Sequence, residues 1–199
     1  MLELKGRKVL VLGLGETGLS MARWLKRRGA VVSVADTRAE PPRASELRRE
    51  LPGVALECGE FRDVSVHGAD LIAISPGVDR RTPAVAAAIK RGTPVAGDVE
   101  LFAQFIVHHS SLSPAKVLAI TGTNGKSTVT RMAGDICAAA GFDTVVAGNI
   151  GTPVLDALTA IENGRAAPGA FVLELSSFQL ESTASLNADA AAMLNLSAD

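Results

Sequence analysis

Residues 117–128 of this 199-residue chain read Val-Leu-Ala-Ile-Thr-Gly-Thr-Asn-Gly-Lys-Ser-Thr. The first four residues form a continuous apolar run, which is typical of a strand buried on both faces of a parallel sheet. A glycine-rich turn follows, and residues from Lys126 to Ala140 have the pattern of a helix that ends at Gly141. A strand, a glycine-rich loop and a helix in this order predict a nucleotide-binding α/β fold.

The loop has the composition of a phosphate-binding loop. Glycines allow backbone N–H groups to turn inward toward phosphate oxygens, and the helix N-terminus adds partial positive charge. Lys126 is expected to reach the β- and γ-phosphates, and the Ser127 hydroxyl to hold Mg²⁺. The strict pattern places a glycine at position 120, where this chain has Ile120, so the loop is a variant. The alternative is an ordinary glycine-rich turn without a ligand. The predicted ATP contacts are Gly122, Thr123, Asn124, Gly125, Lys126, Ser127 and Thr128.

Two polar residues follow later apolar runs of the same half of the chain. Glu174 lies near the end of the run Phe171–Leu175, where a buried carboxylate would be costly without a partner such as Mg²⁺. Asn149 follows another predicted strand, and its amide could donate to a phosphate. The alternatives are a glutamate that faces solvent or pairs with a lysine, and an asparagine that only forms a turn.

A second nucleotide signal lies near the N-terminus. Gly13-Leu14-Gly15-Glu16-Thr17-Gly18 matches G-x-G-x-x-G between a predicted strand and a predicted helix. Asp36 ends the next predicted strand, where dinucleotide-binding folds place an acid near a ribose. Taken alone, this pattern predicts NAD, but any nucleotide diphosphate fits the same turn. A tight turn without a ligand is the remaining alternative.

Strands alternate with helices along the whole chain, which predicts parallel sheets. We expect an N-terminal Rossmann-like domain over 1–107, a polar linker over 108–114 and a truncated P-loop α/β ATPase domain over 115–199. The last part, about 85 residues, is small for a P-loop sheet and stops just after a predicted strand. The expectation is therefore that the chain is an N-terminal piece of a longer protein.

Composition narrows the class of partners. The formal net charge of −1 does not favour nucleic acid or an anionic membrane as a partner. The two cysteines, Cys58 and Cys137, form no zinc-binding pattern with the histidines. No secretory signal pattern begins the chain, and no apolar run approaches the roughly 20 residues that span a bilayer. These features predict a cytoplasmic protein.

Taken together, the motifs resemble those of the Mur ligases and folylpolyglutamate synthetases. The loop Gly122–Thr128 carries this resemblance, and the segments Gly148–Gly151 and Leu173–Leu180 are similar to further Mur ligase segments. Stretches of the first half resemble the members that add D-glutamate to UDP-N-acetylmuramoyl-L-alanine during peptidoglycan precursor synthesis. These stretches are Gly13–Gly18, Asp36–Arg38, Ser75–Gly77 and Gly97–Glu100.

The resemblance implies an ATP- and Mg²⁺-dependent ligase that works through an acyl phosphate and is a monomer at full length. Lys126 and Glu174 would be catalytic, and Ser127 and Glu174 would hold the metal. The family's carbamylated lysine and D-glutamate site would lie outside this chain, so the 199 residues alone are expected to be inactive. The residues expected to contact the UDP-sugar are Gly15, Glu16, Thr17, Asp36, Thr37, Arg38, Gly77, Asn149, Ser176 and Gln179.

The residues alone leave two other classes of function open. One is an NAD-dependent oxidoreductase with a nucleotide-binding second unit, which the pattern Gly13–Gly18 favours when read alone. The other is a nucleotide-dependent switch that binds a partner, for which the sequence contains no partner motif.

Overall fold

A computed structural model describes residues 3–109, 112 and 115–197 of the chain. Most of the predicted linker 108–114 lies outside the described residues. Contacts group the chain into two compact units that divide between Asp98 and Val99. No helix in the described part of the chain is both long and apolar enough to cross a membrane.

The first unit is built on a parallel sheet of five strands in the order β3-β2-β1-β4-β5. Its strands are β1 (Lys8–Leu12), β2 (Val31–Asp36), β3 (Ala55–Cys58), β4 (Leu71–Ile74) and β5 (Val95–Ala96). Its helices are α1 (Glu16–Arg27), α2 (Ala44–Glu50), α3 (Asp63–His67) and α4 (Pro83–Lys90). The strand order reverses beside β1, which is where open α/β sheets bind their ligands.

The apolar runs of the first unit form strands because helices cover both faces of a parallel sheet. All four residues of β4 are buried, and Leu10 and Leu12 of β1 pack in one core cluster with Val85 of α4. α1 buries its apolar stripe and is followed by Gly29, whose φ of 77° lies in the left-handed region that favours glycine.

The second unit contains a parallel sheet of four strands in the order β7-β8-β6-β9. The strands are β6 (Lys116–Thr121), β7 (Thr144–Gly148), β8 (Ala170–Glu174) and β9 (Ala190–Met193), and the helices are α5 (Asp98–His108), α6 (Lys126–Ala139), α7 (Val154–Glu162) and α8 (Ser177–Glu181). The central strand β8 is buried throughout, whereas every residue of the edge strand β9 is exposed. The prediction of an α/β fold with parallel sheets is confirmed.

The grouping of α5 differs from the predicted domain boundary at 107. From Val99 onward this helix groups with the second unit, because its side chains contact that unit's sheet and loops. The ring of Phe102 packs edge-on against Phe171 of β8, with centroids 5.0 Å apart. Glu100 accepts hydrogen bonds from the backbone N–H groups of Ala184 and Ser185. The predicted boundary rested on the order of elements along the chain, which does not reveal these contacts.

Candidate functional site

The phosphate loop Gly122–Thr128 joins β6 to α6 at the carboxyl edge of the second sheet. Gly125 is the N-cap of α6 and has a φ of 79°. The N–H groups in the first turn of a helix have no intrahelical acceptors. Among the described residues no side chain caps this helix end in their place. Gly122 has a φ of 147°, and a Cβ atom there would lie 3.1 Å from Cβ of Leu194. Backbone geometry and close approach therefore explain both glycines.

Lys126 folds back over the loop that precedes it. Its Nζ donates to the carbonyl oxygen of Gly122 at 2.7 Å and to that of Thr123 at 3.2 Å. Lys126 lines a cavity of about 340 Å³ together with Asn149 and Ser176. The fold thus brings three residues predicted at separate places in the sequence around one space.

Glu174 and Asn149 form a pair beside this loop. Glu174 ends β8 and is only 1% exposed. The Nδ2 of Asn149 donates to Oε1 of Glu174 at 2.7 Å, and the Asn149 N–H donates to the Glu174 carbonyl oxygen at 2.9 Å. Oε2 of Glu174 is buried without a hydrogen-bond partner among the described residues. The alternatives of a solvent-facing Glu174 and of a lysine partner do not describe this arrangement.

The carboxylate of Glu174 fits a divalent cation. A buried carboxylate oxygen without a partner is costly, and a bound cation would satisfy it. Ser127 is exposed in the first turn of α6 and offers a hydroxyl oxygen. Within the ranges described, no three His, Cys, Asp or Glu side chains converge on one point. A cation at this site would therefore take its other ligands from phosphate oxygens and water, as Mg²⁺ commonly does.

Ser176 and Gln179 are held by each other at the start of α8. The Gln179 N–H donates to Oγ of Ser176 at 3.2 Å, and the Ser176 N–H donates to Oε1 of Gln179 at 3.1 Å. This reciprocal pair is a capping box. Gln179 is buried, whereas Ser176 lines the cavity. Their predicted contact with the sugar stays a prediction, and of the two only Ser176 lies on an accessible surface.

The glycine-rich turn of the first unit has the geometry of a diphosphate site. Gly13 has a φ of 86°, and its carbonyl oxygen accepts a hydrogen bond from Oγ of Ser75 at 3.0 Å. A Cβ atom on Gly18 would overlap the carbonyl oxygen of Gly13. Gly15 is the N-cap of α1, which begins at Glu16 and has no side-chain cap among the described residues. The predicted residues Gly15 to Thr17 therefore lie at an open helix N-terminus, where phosphates bind.

Asp36 and Arg38 form a closed pair at the end of β2. Both carboxylate oxygens of Asp36 accept from the Arg38 guanidinium, at 2.8 and 2.6 Å, and Oδ2 also accepts from the Leu14 N–H at 2.6 Å. Burial of the Asp36 carboxylate opposes its charged form, but these hydrogen bonds outweigh burial and hold its pKa below the ordinary value. A ribose hydroxyl would therefore have to compete with Arg38 for this acid.

The remaining predicted residues of the first unit are exposed. Thr37 follows Asp36 at the end of β2, and Gly77 lies in the turn after β4 with open space where a Cβ atom would be. Since β4 and β2 flank β1 in the sheet, the residues after these strands lie at the same edge as the glycine-rich turn. The structure thus brings all the predicted first-unit residues to one edge.

Asn195, which is not among the residues predicted from the sequence, hydrogen-bonds to the backbone of two residues of the phosphate loop. It follows β9 and exchanges hydrogen bonds with Asn124 and Thr123 of the loop. The available signal was its position, since Asn195, like Asn149, comes directly after an apolar run.

Comparisons with known proteins identify the family of both parts of the chain. Residues 7–97 match the family described as Mur ligase MurD-like, N-terminal domain, and residues 120–199 match the Mur ligase middle domain. The chain is 59% identical over 199 residues to the UDP-N-acetylmuramoylalanine–D-glutamate ligase of Methylobacillus flagellatus, covering all of this chain and 42% of that protein. It is 56% identical over 207 residues to the ligase of the same name from Thiobacillus denitrificans, covering 44% of it.

A solved structure supports the fold. The UDP-N-acetylmuramate:L-alanyl-γ-D-glutamyl-meso-diaminopimelate ligase from Neisseria meningitides aligns with a TM-score of 0.58 at 21% identity, over 98% of this chain and 62% of that one. At this identity the likeness concerns the fold alone. The chain spans about two fifths of the length of the curated relatives that it matches.

Proposed function

Because this chain belongs to the Mur ligase family, we propose that it forms the UDP-sugar and ATP sites of a ligase that joins D-glutamate to UDP-N-acetylmuramoyl-L-alanine. The observation that carries the proposal is the open N-terminus of α6, where Lys126 lines one cavity with Asn149 and Ser176. Curated relatives that match along the whole chain have this substrate specificity in their names. In this proposal the full-length protein is a monomer in the cytoplasm.

In the second unit, the proposed ATP site uses charge and backbone donors. The first-turn N–H groups of α6 and the Lys126 ammonium would bind the phosphate oxygens. The Ser127 hydroxyl and Oε2 of Glu174 would hold Mg²⁺, which neutralises charge on the phosphates when bound. Asn149 fixes the other oxygen of Glu174 and so keeps Oε2 in one direction.

The proposed reaction has two steps. The L-alanyl carboxylate oxygen attacks the γ-phosphorus of ATP, the bond from that phosphorus to the β,γ-bridging oxygen breaks, and ADP leaves. The amine of D-glutamate then attacks the acyl phosphate carbonyl, phosphate leaves, and the amine loses a proton as the amide forms. Lys126 and the loop N–H groups would stabilise the negative charge on the transferred phosphoryl group.

In the first unit, the proposed ligand is the UDP end of the sugar nucleotide. The open N-terminus of α1 would bind the diphosphate through Glu16 and Thr17 N–H groups. The exposed side of Arg38, with Thr37, would meet the uracil end. NAD fits less well, because both oxygens of Asp36 already accept from Arg38.

Calorimetry of the 199-residue chain tests the proposal. We expect binding of UDP-N-acetylmuramoyl-L-alanine and of Mg·ATP, each with one site, and much weaker binding of NAD. Substitution Lys126→Ala should weaken ATP binding about 100-fold or more and affect the UDP-sugar titration far less. Tight binding of NAD(H) without binding of the UDP-sugar would overturn the proposal and restore the oxidoreductase alternative.

A further inference from the structure

We infer that Asn195 is a positioning residue that fixes the phosphate loop in its binding conformation before nucleotide arrives. The inference deepens the proposed function, since it rests on the assignment of this loop to ATP. It concerns a residue outside the loop, on the segment that follows β9.

The side-chain amide of Asn195 pairs with both backbone groups of one loop residue. The Asn124 N–H donates to Oδ1 of Asn195 at 2.8 Å, and Nδ2 of Asn195 donates to the Asn124 carbonyl oxygen at 3.0 Å. Its backbone takes part as well, because the Thr123 N–H donates to the Asn195 carbonyl oxygen at 3.1 Å. Three hydrogen bonds from one residue thus hold two consecutive loop residues, an arrangement that we call the Asn195 clamp.

The clamp continues the pairing of two strands. β6 and β9 are parallel partners, and the Leu194 N–H donates to the Thr121 carbonyl oxygen at 3.0 Å. At the next residue both strands have ended, and the Asn195 side chain makes the pair of hydrogen bonds to Asn124 that a neighbouring strand's backbone would otherwise make. The Ser197 N–H then donates to Oγ1 of Thr123 at 3.1 Å. The segment 194–197 therefore contacts the first part of the loop, up to Asn124.

The clamp decides which loop donors face the phosphates. The N–H groups of Thr123 and Asn124 are already used by Asn195. The donors left for phosphate include the N–H groups at the start of α6 and the Lys126 ammonium. In this arrangement Thr123 and Asn124 shape the loop and do not donate their N–H groups to ATP.

The chemistry of the clamp requires an amide. An aspartate at 195 would still accept from the Asn124 N–H, but its second oxygen would face the Asn124 carbonyl oxygen and add negative charge near the phosphates. An alanine would remove both side-chain hydrogen bonds. Asn195 is exposed, so neither substitution leaves a cavity in the core.

The test compares Asn195→Ala and Asn195→Asp with the matched control Ser197→Ala, which keeps the Ser197 backbone N–H on the same segment. Amide hydrogen exchange by NMR is measured on the nucleotide-free chain, and calorimetry is run with Mg·ATP and with inorganic tripolyphosphate. We expect exchange at Asn124 to accelerate about tenfold or more in Asn195→Ala, which loses the acceptor of that N–H, and to change less in Asn195→Asp, which keeps an acceptor oxygen; exchange in β6 and β8 should be unchanged. ATP and tripolyphosphate should bind about 5- to 30-fold more weakly to Asn195→Ala, and more weakly still to Asn195→Asp.

The outcomes separate this inference from the proposed function. Wild-type exchange rates and ATP affinity in Asn195→Ala would overturn the clamp while leaving the ATP site intact. A wild-type chain that binds neither ATP nor tripolyphosphate would overturn the assignment of the loop to ATP, and with it the role of the clamp in nucleotide binding. Equal weakening in Ser197→Ala would also contradict the inference, because that variant keeps every hydrogen bond of the clamp.

Discussion

The two glycine-rich turns of this chain share a scaffold and differ in their chemistry. Each follows a buried strand, opens a helix without a side-chain cap among the described residues and uses left-handed glycines. In the first unit the nearby acid, Asp36, is saturated by Arg38 and a backbone N–H. In the second unit a lysine lies over the loop and the nearby acid, Glu174, keeps one oxygen without a described partner.

This difference is the one expected between a site that binds a phosphate group and a site that transfers one. A turn whose charges are already paired can bind a diphosphate through helix N–H groups and leave it unchanged. Phosphoryl transfer requires groups that respond to the charge of the transferred phosphoryl, which under the proposed function the Lys126 ammonium and a cation held by Glu174 would supply. Under the proposed function, the second turn would therefore carry the phosphoryl transfer and the first turn would recognise the UDP-sugar.

The largest effect is expected from Lys126→Ala. The substitution removes a charged donor from the second turn, so Mg·ATP affinity should fall about 100-fold or more. UDP-sugar affinity should change far less, since the proposed diphosphate and uracil contacts lie in the first unit. Calorimetry of both ligands measures the difference, with Lys116→Ala as control because Lys116 begins β6, the strand that leads into the loop, and pairs with exposed Asp189. If Lys126→Ala retained ATP affinity, the lysine would not distinguish the second turn from the first.

The next effect is expected from Glu174→Gln. Asn149 can still donate to the remaining carbonyl oxygen, so the fold is preserved, but the charge that would attract Mg²⁺ is lost. We expect the gain in ATP affinity on adding Mg²⁺ to shrink about 10- to 30-fold. Titration of ATP with and without Mg²⁺ measures it, and the metal-free affinity serves as the internal reference. An unchanged Mg²⁺ dependence would remove Glu174 from the metal site.

A smaller effect is expected from Arg38→Ala in the first unit. Asp36 would stay buried without its main cationic partner, so its pKa would rise and the UDP-sugar would lose a recognition group. UDP-sugar affinity should fall about tenfold while ATP affinity stays constant. Arg81→Ala is a matched control, because Arg81 makes the same two-residue pairing with Asp79 on an exposed surface. Equal losses of UDP-sugar affinity in Arg38→Ala and Arg81→Ala would show that the burial of Asp36 does not contribute to UDP-sugar binding.

The sequence predicts the scaffold of both turns better than their contacts. Apolar runs identify the strands because a strand covered on both faces must be apolar on both, as in β4 and β8. Short helices such as α8, with five residues, lack the length to show a helical period.

Neighbour relations were beyond the sequence as well. β8 lies between β7 and β6, and Gly148 pairs in register with Glu174, which brings Asn149 to that carboxylate. Strand order of this kind depends on tertiary packing, so neither the Asn149–Glu174 pair nor the Asn195 clamp could be read from spacing.

The smallest effect is expected from Glu100→Gln, which sharpens the comparison at a second buried carboxylate. Asp36 is held by a guanidinium, whereas Glu100 is held by neutral donors: two backbone N–H groups, the Ser185 hydroxyl and the Gln104 amide. Burial of the Glu100 carboxylate opposes its charge, yet these donors hold its pKa below the ordinary value. Its stabilisation is therefore present above about pH 4.3 and is lost as the pH falls below that value.

Urea denaturation between pH 7 and pH 3, followed by the NMR signals of backbone amides in the second unit, measures this effect. The wild-type chain should lose stability on acidification, and Glu100→Gln should be destabilised by about 1–2 kcal/mol at pH 7 with a flatter pH dependence. The gap between the two curves should close toward pH 3, because the protonated wild-type carboxyl then resembles the amide. A constant gap over the whole range would show that Glu100 acts through packing and that its charge contributes nothing to holding α5 against the loop at Ala184 and Ser185.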